Sequence, residues 1–292
     1  MWAIPGDIFS HHPPREETGI LELGVGFSGG RSVVRRQYYT RALKVIRAHY
    51  LDDTGQAYVT IVNPGGGYVG GDAYRIDVEV EDGASLLLTD QSAVKVYRTP
   101  HDYVVQNLRI KVGDGSVLEY IPDQLILYRD ADYRQQITAD VHPNGSLVMS
   151  EIVTPGWSPD RGKFLYDQAF LRNVVTVDGK PEIIDNLKLN PTAGDFRRHG
   201  EYVMAGRTHI STVTCLEPGL TDDHIDQVRD LVRSHEGGES QLWGSVSRTN
   251  RPGFTVRALA NRTEDLMHLT TSVADFIRGE FRGQGPIHLR KY

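Results

Sequence analysis

A single cysteine, Cys215, stands in 292 residues, so no intrachain disulfide staples this chain. That scarcity suits a reducing compartment, and the apolar-alternating surroundings of Cys215 read as a buried structural thiol. No run approaches the ~18 apolar residues of a membrane-spanning helix. The start, Met1-Trp2-Ala3-Ile4-Pro5-Gly6-Asp7, lacks the basic and apolar regions of a secretory signal. These absences lead to the expectation of a cytoplasmic protein with no membrane partner. Basic clusters are also scarce: 32 Lys and Arg face 38 Asp and Glu, for a net charge of −6. That balance argues against a nucleic-acid surface.

Catalytic signatures are missing as well. There is no His-Glu-x-x-His and no Cys-x-x-Cys. The 11 histidines are scattered. The adjacent pair His11-His12 sits in a polar, proline-broken stretch, residues 1–18, that reads as a flexible lead-in. His224, His235 and His268 fall on or at the ends of predicted helices and are expected to face solvent.

Glycine is where the chain is rich. Asn63-Pro64-Gly65-Gly66-Gly67-Tyr68-Val69-Gly70-Gly71-Asp72 places five glycines within seven positions and closes on a carboxylate. Such a loop is built for positive φ or close backbone approach. Gly65, Gly67 and Gly70 fit G-x-G-x-x-G after a strand-like run, which on paper is a dinucleotide fingerprint. That fingerprint works only where the last glycine opens a helix whose N-terminus holds the phosphates. Here Tyr74-Arg75-Ile76-Asp77-Val78-Glu79-Val80 follows, and its period-two alternation predicts a strand. A Walker loop is excluded, because no Gly-Lys-Ser/Thr comes after the glycines.

The rest of the chain reads as strand after strand, with turn signals at intervals of about ten residues. Strands are predicted at 20–25, 32–39, 41–49, 56–62, 74–80, 84–89, 104–112 and 117–121. Further ones are predicted at 147–154, 163–177, 182–189, 202–216, 242–247 and 254–259. One face of 104–112 carries Val104, Gln106, Leu108, Ile110 and Val112. No internal repeat of fixed period is visible. Two helices are predicted, one capped by Thr221 and ending at Gly237-Gly238, the other from Thr263 to Phe281. Beside the glycines and prolines lie Asp72, Asp90, Lys95, Arg98, Asp123, Glu151 and Arg161. An acid in a strand, as Glu151 is in Val148–Val153, must meet solvent, a partner or a wet cavity. The residues alone leave an edge position and a functional one both open.

These segments carry a family resemblance. Pro64 to Asp72 resembles the Pro-Pro-Gly-Gly-x-x-Gly-Gly-Asp loop of the urease accessory protein UreD (also called UreH). Thr89 to Arg98 is similar to that family's Thr-x-x-x-Ala-x-Lys-x-Tyr-Arg segment, and Leu118 to Asp123 to its Leu-Glu-x-Leu-Pro-Asp/Gln run. The final stretch, Phe276 to Arg290, resembles its closing helix and tail. Gly156-Trp157 stands where the family has Gly-Arg.

The resemblance covers about residues 19–290. It implies one mainly β domain over 19–292, a β-helix-like stack of strands with two α-helices near the C-terminus. It also implies a non-enzymatic, nickel-inserting maturation factor with no tightly bound cofactor and only transient nickel. The partners it implies are a UreF-like accessory protein, a UreG-like GTPase reached through UreF, and apo-urease. Asp72 and Glu151 match positions of a metal passage. Gly65, Gly66, Gly70, Gly71, Gln91, Lys95, Tyr97, Arg98, Pro122 and Asp123 match positions of the motif loop and its surroundings. The alternative is an all-β carbohydrate-binding or carbohydrate-processing protein, whose two acids would need exposed aromatic platforms nearby. A nucleotide-dependent enzyme ranks last.

Overall fold

The structure, a computed structural model, describes residues 6–10, 16–193, 204–237, 239 and 241–289. The chain opens with a 3-10 turn (Gly6–Phe9), then β1 (Gly19–Ser28), β2 (Arg31–Arg41) and β3 (Lys44–Val45). From there it winds in coils. β4 (Ala57–Val62) leads to β5 (Ala73–Val80), and β6 (Ser85–Asp90) leads through β7 (Val94–Val96) to β8 (Val104–Val112). β9 (Val117–Tyr120) leads through β10 (Leu125–Leu127) to β11 (Asp132–Val141), and β12 (Ser146–Val153) leads to β13 (Gln168–Val177). β14 (Lys180–Leu189) and β15 (His209–Leu216) follow, then α1 (Asp222–Ser234), β16 (Trp243–Arg248), β17 (Gly253–Ala260) and α2 (Thr263–Arg282).

Two sheets form the walls. The first has strand order β14-β13-β11-β8-β5-β1-β2, and the second β16-β17-β15-β12-β9-β6-β4-β3. Successive coils pair in parallel in both walls, β5 with β8, β8 with β11 and β11 with β13, and likewise β4, β6, β9 and β12. On a narrow third side β10 lies between β7 and β12. The fold is thus the expected β-helix-like stack.

A structural repeat does exist, although the sequence hides it. Ala57, Leu86, Leu118 and Leu147 occupy one column, 29 to 32 residues apart in sequence. Only apolar character and register are repeated, so residue identity gives no period.

The core follows from strand periodicity. β5 buries Tyr74, Ile76, Val78 and Val80 between the walls and turns Arg75, Asp77 and Glu79 outward. The continuation of the glycine loop is therefore a strand, as its alternation predicts. β12 has seven buried residues of eight because both of its faces are covered. α1 and α2 supply the outer cover. Leu266, Leu269, Val273 and Ile277 are fully buried against Val148, Val213 and Val256 of the second sheet. Each such side chain contributes about 1.5–3 kcal/mol of transfer free energy.

Some predicted boundaries are corrected. The strand expected at 41–49 reduces to Lys44–Val45 plus a bridge from His49 to Tyr58, because Arg41 takes φ 56° and ends β2 in a turn. The strand expected from 163 starts at Gln168, since Phe164 at φ 56° folds back to bond Pro155. The strand expected at 202–216 starts at His209; Tyr202 and Val203 lie outside the described residues. β7, β10 and β11 were not expected. Within the stretch 1–18, Phe9 packs on Phe170 at 5.0 Å, and its carbonyl accepts a bond from Asn107.

His224 does not simply face solvent. Its Nδ1 accepts the Thr221 backbone N–H at 3.0 Å, and its ring packs edge-on against Phe281.

Beneath α2 the structure is ionic. Glu119, on the outer face of β9, is fully buried and bonded by Arg278, itself 1% exposed. Arg282 reaches Glu119 at 3.2 Å and Glu217 at 2.8 Å, while Arg278 also bonds Gln56 and the Gly285 carbonyl. The family-like Leu118-Glu119 run therefore ties the stack to the closing helix. Glu119→Ala leaves the buried Arg278 guanidinium without its one fully buried carboxylate, with only the longer Asp52 pair at 3.4 Å remaining, and is expected to cost about 3–5 kcal/mol in denaturant unfolding. The double variant Glu119→Leu/Arg278→Met should recover most of that loss.

Candidate functional site

The glycine loop lies between β4 and β5 and packs on the segment containing β7. The Tyr68 N–H bonds the Lys95 carbonyl at 2.8 Å, and the Tyr97 N–H bonds the Tyr68 carbonyl at 2.8 Å. Gly66 (φ 76°) and Gly71 (φ 87°) adopt left-handed backbone. Gly67 is needed for space, since a Cβ there would lie 2.6 Å from the Tyr97 ring and 2.8 Å from the Lys95 carbonyl. Gly65 and Gly70 sit beside Asn63 and Thr99. Asp72 closes the loop by accepting the Val69 N–H and the Tyr74 hydroxyl, each at 2.9 Å.

From Asp72 a line of polar groups runs into the interior. Tyr74 stacks on Tyr68 with ring centres 4.1 Å apart. The Tyr68 hydroxyl donates to Gln106 Oε1 at 2.8 Å, and Gln106 Nε2 donates to Gln135 Oε1 at 3.4 Å. The Tyr133 hydroxyl reaches the same oxygen at 2.9 Å. Gln135 and Asn173 then donate to the two oxygens of Glu151. Tyr74, Gln106 and Gln135 are direct neighbours in the parallel ladders, so the register of the first sheet builds this line.

Glu151 therefore stands inside the stack on β12, facing the first sheet, and is not an edge residue. Protein surrounds it, yet it keeps some accessible surface in a small cavity. That cavity, about 30 Å³, is lined by Asp90, Tyr120, Pro122, Asp123, Tyr133 and Glu151 among others. A second, about 40 Å³, is lined by Gly66, Gly67, Tyr68, Gln91 and Lys95 and shares Asp90 and Val94 with the first. Each volume has room for a water or two.

Burial pushes the Glu151 carboxyl from its ordinary 4.5 up to about 7; Asp185 adds to the rise, while the Asn173 and Gln135 amides oppose it. Burial, reinforced by neighbouring phenols and carboxylates, holds Tyr68, Tyr120 and Tyr133 well above the ordinary tyrosine value. These phenols therefore stay neutral and offer only oxygen dipoles. Asn173 is 2% exposed, and its Oδ1 has no hydrogen-bond partner. A buried orphan of this kind costs about 1–3 kcal/mol unless a water or a cation answers it.

The remaining expected residues lie around this line. Gln91 is exposed and bonds the Ile61 carbonyl through its backbone. Tyr97 places its hydroxyl 3.3 Å from the Gly66 carbonyl and its ring 4.9 Å from Tyr128, which in turn packs on the exposed Trp157. Arg98 is exposed and pairs with Asp130 at 2.9 Å. His209 is half-buried, and burial pulls its imidazole down to about 4. Sequence reasoning missed Tyr133, Gln135 and Asn173 as members of the line and Tyr120 as part of the cavity lining. For Gln106 the signal was available: a lone amide on an otherwise apolar strand face.

Chemically, the line offers carboxylate, phenol and amide oxygens. Among the described residues no three His, Cys, Asp or Glu side chains gather into a metal cage. Such a lining can stabilise water and pass a cation between weak oxygen donors.

Two predictions come from this geometry. Gly67→Ala should destabilise by about 1–3 kcal/mol, read by thermal unfolding, because backbone as well as the Tyr97 ring must give way. The second concerns pH. A raised folded-state value means that the native protein holds the Glu151 proton more tightly than the unfolded chain. That stability is fully present below about 4.5 and is lost as pH rises toward about 7. The difference in unfolding free energy between wild type and Glu151→Gln should drift across that window in this direction, and remain flat in its absence.

Comparisons with known proteins identify the family. The chain matches the family described as UreD urease accessory protein over residues 17–291. The Urease accessory protein UreD of Paenarthrobacter aurescens is 42% identical over 278 residues, covering 94% of this chain and 95% of that protein. The one from Arthrobacter sp. is 43% identical over 279 residues, covering 94% of each chain. The Bacillus cereus protein of the same name is 33% identical over 278 residues, covering 95% of this chain and all 100% of its own. A β-helix-like stack with a double-glycine loop, matched to this family over almost its entire length, belongs to the UreD urease accessory protein family.

Proposed function

We propose that this protein is a nickel-insertion chaperone of urease maturation, one that links a UreF-like protein and its UreG-like GTPase to apo-urease in the cytoplasm. Family membership supports the maturation role. On this reading nickel is cargo, moving through the hydrated interior between Asp72 and Glu151, and no covalent chemistry is performed.

One observation carries the reading: Asp72 bonds Tyr74, whose ring stacks on Tyr68, and from the Tyr68 hydroxyl a hydrogen-bonded line runs through Gln106 and Gln135 to Glu151. A purely structural interior of a β-stack would be expected to be apolar along this column. The oxygen donors suit a divalent ion held weakly, because conduction needs entry without trapping. Asp72 takes the Val69 N–H and the Tyr74 hydroxyl on one oxygen, whereas Glu151 accepts an amide on each of its two.

The carbohydrate alternative is disfavoured by size and placement. The cavities at Glu151 and beside the glycine loop, about 30 and 40 Å³, take waters but not a sugar ring, and the larger clefts of about 350 and 300 Å³ include neither Asp72 nor Glu151 in their lining. The exposed aromatic Trp157 stacks with Tyr128 and does not line the cavity at Glu151.

The test is nickel content of urease co-expressed with the maturation proteins. Glu151→Gln and Asp72→Ala, each with the accessory complex intact by co-purification, should lower nickel loading several-fold. Full loading with both variants would remove these acids from the route.

A further inference from the structure

Away from the interior line, α1 and α2 bring two imidazoles together on the helical layer. The rings of His235, at the C-cap of α1, and His268, on α2, have centres 5.0 Å apart and are tilted by 59°. His235 Nδ1 lies 2.9 Å from the Leu231 carbonyl. A carbonyl only accepts, so Nδ1 carries the proton, and the lone pair of the neutral ring is on Nε2. That nitrogen faces α2, 3.3 Å from Ser272 Oγ. Ser272 stands one helical turn after His268, so both belong to the stripe that α2 presents to His235.

In this tautomer His235 turns the Nε2 lone pair toward α2, the orientation a metal-ligating imidazole would need. Ligating imidazoles usually donate their other ring N–H to a backbone carbonyl, which fixes the tautomer. Metal–nitrogen bonds of about 2.1 Å, with ring centres about 1.1 Å behind the nitrogens, put two cis imidazole centres about 4.5–5.2 Å apart. The observed spacing falls in that interval. The site also lies at the negative end of α1, where a cation is favoured.

We propose that His235 and His268 form a two-imidazole clip for a divalent first-row transition ion, with the Ser272 hydroxyl close by and water completing the shell. Imidazole suits nickel, copper and zinc. The clip is separate from the oxygen-lined interior, and its existence does not depend on the passage reading.

The experiment uses the full chain carrying His11→Gln and His12→Gln, so that the adjacent histidines near the N-terminus do not contribute. Ni²⁺ binding is measured by equilibrium dialysis, and Cu²⁺ loading by electron paramagnetic resonance. One Ni²⁺ site per chain is expected, weakened about tenfold or more in His268→Gln, with two nitrogens coupled to bound Cu²⁺. His268 is exposed, so its replacement tests the site without disturbing the core. His235→Gln should do the same, and His101→Gln, at another exposed histidine, should leave binding unchanged. Unaltered Ni²⁺ affinity in His268→Gln, or bound Cu²⁺ without nitrogen coupling, overturns the proposal.

Discussion

Parallel, in-register stacking of successive coils is the constraint on which the rest depends. Paired strands lie about 4.8 Å apart, so each interior side chain meets the residue at the same position of the next coil. Apolar columns then form easily, as with Ala57, Leu86, Leu118 and Leu147. A polar residue admitted in one coil must be answered by its neighbour or by water, because an unanswered polar group in a low dielectric is costly. Gln106 is answered by Gln135 and Tyr68, and Gln135 by Tyr133 and Glu151. The interior line is the result of this rule applied coil by coil.

The same sheet carries a second buried acid with the opposite electrostatics. Glu119 faces outward from β9 into two guanidiniums, and its charge is compensated where it stands. Glu151 faces inward from β12 and receives only the neutral amides of Gln135 and Asn173. Hydrogen bonds from amides favour the carboxylate, but burial outweighs them and raises its proton affinity. A carboxylate locked to arginines has nothing left to offer a passing ion. One held by amides beside a water-sized cavity does. On the proposed reading, which face of the sheet an acid occupies separates a structural role from an exchangeable one.

Much of this was legible in the sequence. Alternation identified the strand after the glycine loop and so removed the nucleotide reading, and helical spacing placed both helices. β11 stayed hidden for an instructive reason. Its alternation is interrupted at Gln135, where an interior position carries an amide. The residue that masked the strand is the one that holds Glu151. The coil repeat was equally invisible, because stacking conserves register and polarity without conserving residue type. Asp72 and Glu151 were named through family resemblance, whereas Tyr120, Tyr133 and Asn173 belong to the site only through contacts between distant coils. Short-range pattern carries no information about such pairings.

The raised proton affinity of Glu151 also bears on how a cation could traverse the proposed route. Near neutrality this carboxyl is divided between its protonated and ionised forms. A divalent ion seeking it must compete with a proton, and metal binding that displaces a proton is weakened accordingly. Each buried phenol along the way stays neutral and adds dipole without charge. On the proposed reading, the interior offers carboxylate, phenol and amide oxygens to replace part of an ion's hydration, with Asp90, Asp123 and Glu151 spread along the cavity lining and not gathered into a cage. A fully ionised cluster of acids in the same place would bind more tightly and release more slowly, which is the wrong compromise for a carrier that must deliver its cargo.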